Sequence, residues 1–141
     1  ALTHTIVEEV AERTEHSGIA ISACIDEDIV MLFDETLYMR LLYNLIDNAL
    51  KYNAPGGWVM VSLNRRNENV ILSVEDNGIG ISEKDLPKVW NRFYKANQSS
   101  INSSPGLGLS IVKWIAEQFG GTVNVTSELG KGSLFEVRFE A

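Results

Sequence analysis

A chain of 141 residues, 45% hydrophobic and 22% charged, has the make-up of one compact domain that buries its own core, which excludes a disordered tail. A formal net charge of −7 gives no global attraction to nucleic acid or an anionic membrane surface, so any bound anion must be held by local donors. No apolar run reaches the roughly 20 residues of a bilayer-spanning helix, no signal-peptide layout opens the chain, and a single cysteine, Cys24, excludes an internal disulfide framework.

In chain order, Ile6, Val7, Val10 and Ala11 have helical spacing, which predicts a first helix over 2–14 before "HSG" breaks it. The start at "ALTHTIVEEV", without methionine, reads as a piece of something longer. "IAISACI" and "IVMLF" read as β-rich runs separated by the acidic turn "DED", with Cys24 a small hydrophobe in a reduced compartment. Asp34 is placed to cap a helix over 35–53 that ends at "NAPGG". "WVMVSLNR" and "VILSVEDN" flank "RNEN" and predict a hairpin, after which Ser82 is expected to cap a short helix reaching Asn91. "SSINSSP" is the flexible-looking segment. Beyond it "GLGLSIVKWIAEQFGG" is helical in period, and "TVNVTSE" and "SLFEVRFE" close the chain as a strand pair around "LGKG". Helices mixed with mostly antiparallel strands predict one sheet with helices packed on a single face.

Three clusters carry chemistry. On the helix over 35–53, Leu41, Leu42, Leu45, Ile46, Ala49 and Leu50 form an apolar stripe, and Asn44, Asn48 and Lys51 line its edge. An amide oxygen suits a hard cation such as Mg2+ and a lysine suits a phosphate, although the same spacing also describes a solvated helix edge. In "VEDNGIGIS", a β-rich run leads to Asp76, an acceptor for an exocyclic amine, and to Gly78 and Gly80, which let the backbone turn sharply; a tight strand-to-helix turn reads the same way. In "SPGLGLSIVKW", Gly106 and Gly108 stand before a helix whose free N–H groups and positive dipole end can hold phosphate, or simply start the helix. The third is neither a P-loop nor a Rossmann turn, lacking the following lysine with Ser or Thr and the preceding strand. Between the last two clusters, "NRFYKANQSSINSSP" has the composition of a lid over a ligand or of an ordinary surface loop.

The order Asn-x-x-x-Asn-Ala-x-Lys-Tyr, Asp-x-Gly-x-Gly, Arg-Phe-Tyr, Gly-Leu-Gly-Leu, Gly-Lys-Gly-Ser is far more specific than any member. In it the sequence resembles the catalytic ATP-binding domain of bacterial sensor histidine kinases, within the gyrase, heat-shock-90, histidine-kinase and MutL superfamily, from about Thr5 to Glu140. The resemblance implies the Bergerat fold: an α/β sandwich with a mixed five-stranded sheet, three main helices on one face and a flexible ATP lid, residues 1–141 forming one catalytic domain. It implies Asn48 as Mg2+ ligand, Asn44 assisting at the phosphates, Lys51 contacting phosphate and Tyr52 packing near ribose and adenine. Asp76 would accept from the adenine amino group, with Gly78 and Gly80 shaping that wall. Arg92 would approach the γ-phosphate, Phe93 would anchor the lid, and Gly106, Leu107, Gly108 and Leu109 would close over the phosphates. Ser133 falls where the family places a small hydroxyl near adenine.

The implied activity is transfer of the γ-phosphoryl group of Mg-ATP to a histidine on a separate dimerisation domain of the parent protein, with a response regulator downstream. The ATPase branches place a glutamate at the position of Asn44, where a carboxylate can act as general base for water; an amide cannot. Slow hydrolysis and transfer to another nucleophile follow. His4 and His16 are the only histidines, and neither has the His-Glu/Asp-x-x-x-Pro setting of the family's phosphorylated residue. The implied partners are ATP and the phosphoacceptor domain, not nucleic acid; the domain itself is expected to be monomeric and cytoplasmic, its parent a homodimer anchored in the inner membrane. Rival readings are a nucleotide-binding sensor module without transfer and a serine kinase of the anti-sigma type. The sequence departs from the family at Pro105, usually a small residue, at Trp90, commonly phenylalanine, and at Asn91, commonly an acid. Trp90 can equally be a core aromatic.

Overall fold

The computed structural model describes residues 2–13, 18–25, 34–53, 56–90 and 108–140. Its elements run α1 (Leu2–Arg13), β1 (Ala20–Ile25), α2 (Glu35–Lys51), β2 (Trp58–Arg66), β3 (Asn69–Asp76), a 3-10 helix (Leu86–Lys88), α3 (Gly108–Gln118), β4 (Thr122–Glu128) and β5 (Gly132–Glu140). The expected strand "IVMLF", His16, Asn91 and the segment 91–105 expected to form a lid lie outside the described residues.

The five strands form one sheet in the order β1-β2-β3-β5-β4. β1 pairs parallel with β2, and every other pair is antiparallel, which makes the sheet mixed. Period-two alternation decides which side chains turn inward. Val59 and Val61, Val70, Leu72 and Val74, and Phe135, Val137 and Phe139 are all buried. All of these except Val70 meet Leu41, Leu42, Leu45 and Ile46 of α2, Val112, Ile115 and Ala116 of α3, and Ile6, Val7 and Val10 of α1 in one core. Trp90 is half-buried against this core, its ring edge-on to Phe135 with centroids 5.7 Å apart.

The hairpin turns at Asn67, whose φ of 57° is a left-handed conformation that asparagine tolerates. Asp34 caps α2 as expected, its Oδ1 accepting from the N–H of Thr36 at 2.9 Å and of Leu37 at 3.2 Å. Asp34→Ala should lower stability by about 1 kcal/mol, read as a lower denaturant midpoint at unchanged slope; an unchanged midpoint would show that this cap contributes nothing.

Two local expectations are corrected. The helix from Ser82 to Asn91 is a turn followed by a 3-10 helix at Leu86–Lys88. Ser82 contributes its carbonyl, which accepts from Asp85 and Leu86 N–H at 3.0 Å each. The physical reason is Pro87, which would sit in the interior of that helix without an N–H to continue the ladder. Cys24 does not pack as a core hydrophobe: it is exposed, because on β1 Ile21, Ala23 and Ile25 take the half-buried face and Ala20, Ser22 and Cys24 the other.

Candidate functional site

The inward-facing rows of three strands end in polar residues. On β3 the series Val70, Leu72, Val74 continues to Asp76; on β5 the series Phe139, Val137, Phe135 continues to Ser133; on β4 Val123 and Val125 continue to Ser127. Register aligns these ends, since Asp76 pairs with Ser133 and Ser133 with Ser127. A row of carboxylate, hydroxyl and hydroxyl therefore crosses the sheet where the apolar core stops. Asp76 is 6% exposed and Ser133 8%, which few polar groups are without a purpose or partners.

Asp76 has partners. Its Oδ1 accepts from Gly78 N–H at 2.9 Å. Burial pushes its carboxyl above the ordinary carboxylate value; the backbone N–H groups of Gly78 and Ser133 pull it back down in part, and nearby Glu75 adds to the rise. Ser127 Oγ accepts from Ile81 N–H at 2.7 Å and lies 2.8 Å from both the Gly132 carbonyl oxygen and Ser133 Oγ.

The helix α2 brings its amides to this row because the apolar stripe that buries Leu41, Leu45 and Ala49 leaves Asn44 and Asn48 on the adjoining edge. A pocket opens there, lined by Asn48, Tyr52, Asp76, Gly80, Ile81, Leu109 and Ser133. Asn44, one helical turn before Asn48, has a buried Nδ2 that makes no hydrogen bond, the one such side-chain atom among the described residues. An orphaned donor of this kind costs stability unless a ligand oxygen completes it. Lys51 Nζ sits 5.6 Å from the centroid of the Tyr52 ring, a cation–π distance at the same end of the helix.

The loop after β3 is fastened on both sides. Ile79 N–H donates to the Tyr52 carbonyl at 3.0 Å, and Gly130 N–H to the Ile79 carbonyl at 2.7 Å, so the loop bridges the end of α2 and the β4–β5 turn. Gly80 has a φ of +73°, and a Cβ there would meet the backbone of Glu128 and Leu129. Glycine is required at this point by the protein's own packing.

Residues 33–141 match the family described as histidine kinase-, DNA gyrase B-, and HSP90-like ATPase. The chain belongs to that family. Its relatives include the sensor-like histidine kinase SenX3 of Mycobacterium tuberculosis, 35% identical over 143 residues, an alignment that covers 97% of this chain and 35% of SenX3. The chain thus spans about a third of the length of that relative. Among solved structures it is similar to the mycobacterial sensor histidine kinase MprB, with 26% identity and a TM-score of 0.83, covering 98% of this chain and 95% of that one. It is also similar to full-length ShkA in complex with AMPPNP, with 27% identity and a TM-score of 0.85 over 98% of this chain and 29% of that one. The five-stranded mixed sheet with three helices is the Bergerat fold of this family.

Of the residues that the sequence singles out, Asn48, Tyr52, Asp76, Gly80, Leu109 and Ser133 line one pocket. Asn44 and Lys51 lie on the same helix, and Gly78 donates its N–H to Asp76. Gly108 is the first residue of α3. Arg92, Phe93, Gly106, Leu107 and Pro105 lie outside the described residues. Sequence reasoning missed Ile81, which follows Gly80 in the pocket wall, and Ser127. The signal for Ser127 was present: in "TVNVTSE" it continues the alternation of Val123 and Val125, so it shares their inward face.

Proposed function

We propose that residues 1–141 act as one catalytic unit that binds Mg-ATP and passes its γ-phosphoryl group to a histidine on a separate dimerisation domain of a sensor kinase. The observation that carries this reading is the buried carboxylate of Asp76 in a pocket also lined by Asn48 from the amide-bearing edge of α2. Its acceptors suit the exocyclic amino group of adenine, and Tyr52 and Ile81 offer apolar surface to the ring. The orphaned Nδ2 of Asn44 suits a phosphate oxygen. The kinase relatives, and the complex of ShkA with AMPPNP, support the same reading.

The residues fit a magnesium nucleotide. No group of three His, Cys, Asp or Glu side chains is poised to hold a metal among the described residues. As the family resemblance implies, a magnesium ion would rest on the amide oxygen of Asn48, with substrate phosphates and water as its other ligands. When bound it neutralises charge on the phosphates. Lys51 then adds its ammonium at the phosphates, and Arg92 and the backbone of Gly106, Leu107, Gly108 and Leu109 are assigned to the same group, with Phe93 as anchor of the segment between. Asn44 cannot take a proton from water, so ATP waits for a better nucleophile. The phosphoacceptor histidine, the response regulator, the homodimeric state of the parent and its inner-membrane anchor belong to this proposal as features of the longer protein. Among the described residues no helix is long and apolar enough to cross a membrane.

The test mixes the domain with a separately made dimerisation domain and γ-labelled ATP. The expected result is an acid-labile label on histidine that disappears when magnesium is chelated. Nucleotide binding without label would favour the sensor reading, and acid-stable label on serine the anti-sigma-type kinase.

A further inference from the structure

A serine hydroxyl has one proton to give and two lone pairs to offer. Ser127 Oγ makes three contacts, at 2.7 Å to Ile81 N–H and at 2.8 Å each to the Gly132 carbonyl oxygen and Ser133 Oγ. The Ile81 amide brings its own proton. Two oxygens at 2.8 Å are held by a proton between them, and the Gly132 carbonyl has none, so the Ser127 proton goes there. The proton in the remaining contact must then come from Ser133. With that proton committed, Ser133 Oγ has only lone pairs left for the pocket it lines, beside the carboxylate of Asp76.

We propose that Ser127 is a positioning residue: by taking the Ser133 proton it makes the base-facing wall a set of acceptors, selecting a purine with an exocyclic amino group over one with a keto oxygen. The inference rests on the ATP reading above and deepens it. A keto oxygen at that position would meet lone pairs from both Asp76 and Ser133. Without Ser127 as acceptor, the Ser133 hydroxyl is free to rotate and donate to such an oxygen, so the penalty against the keto base falls.

The experiment titrates ATP and inosine triphosphate, with magnesium, into the wild-type chain, Ser127→Ala, Ser133→Ala and the double variant. Wild type should prefer ATP, and Ser127→Ala should narrow the affinity ratio by roughly 3- to 10-fold, the scale of one hydrogen bond. Adding Ser127→Ala to Ser133→Ala should leave the ratio where Ser133→Ala put it, because the two act through one group. Ser127→Thr should restore the wild-type ratio. A merely structural role would weaken both nucleotides alike. An unchanged ratio in Ser127→Ala overturns the proposal, as does a shift that persists without the Ser133 hydroxyl. Should Ser127→Ala fail to fold, Ser127→Cys fills the site with a weak acceptor and takes the same test. A wild-type chain that binds no ATP would overturn the nucleotide reading as well, whereas ATP binding with an unmoved ratio would remove only the role of Ser127.

Discussion

Asp76→Ala is expected to weaken ATP binding by about 10- to 150-fold, the free energy of one hydrogen bond to a charged acceptor. The substitution removes the acceptor assigned to the adenine amino group and also strips partners from the backbone N–H of Gly78 and Ser133. Asp76→Asn separates the two effects, since its amide oxygen can still accept from Gly78 and hold the loop. Isothermal titration of both variants, with a thermal melt to establish that each is folded, checks the prediction. Wild-type affinity in folded Asp76→Asn and Asp76→Ala would remove adenine from this pocket.

The same carboxylate predicts a pH dependence. Burial raises its pKa in the free protein, while accepting a hydrogen bond from an amino group favours the ionised form and lowers it in the complex. Binding therefore releases a proton over the interval between the two values. Affinity should fall as pH drops through the raised value, at a higher pH than an ordinary aspartate would give. ATP has its own phosphate titration, so the measured quantity is the difference between wild type and Asp76→Asn, which has no proton to exchange there. Parallel profiles for the two proteins would refute the coupling.

How much of this was legible in the sequence depended on whether a local pattern carried the information. The helix stripe of Leu41, Leu42, Leu45, Ile46 and Ala49 and the alternation of β2, β3 and β5 fixed their buried faces, because helix and strand periods differ and each was long enough to be read. Asp76 and Ser133 were found as motif members. Their being neighbours depends on the antiparallel register of β3 and β5, which joins residues 57 apart in the chain and is written in no single segment. The inward face of Ser127 can be read from the alternation of "TVNVTSE", but not its partners, since its hydroxyl matters only through strands and loops that fold against it. Pro87 works the other way: it stands in the sequence inside the helix expected from Ser82, and the backbone follows its missing N–H.

Gly80→Ala should be among the most damaging small substitutions in the site. Its φ of +73° costs an L residue about 1–2 kcal/mol. The added methyl also meets the carbonyl of Glu128 and the Cα of Leu129, backbone atoms that cannot rotate away. Retreat is hindered on either side, since Ile79 is bonded to Tyr52 and Gly130, and Ile81 N–H to Ser127. Overpacking of this kind adds about 1–3 kcal/mol, for a total of roughly 2–5 kcal/mol against the 5–15 kcal/mol that hold a typical domain together. Gly130→Ala supplies the control, because Gly130 also has a positive φ, +83°, but nothing within 4 Å of its built Cβ. The difference between the two variants in a denaturant melt isolates the collision, and ATP titration at a temperature where both are folded shows whether the displaced loop carries Ile81 out of the pocket wall. Equal destabilisation in the two variants would mean that the β4–β5 turn yields to the methyl, and that this side of the pocket is held by something other than backbone contact.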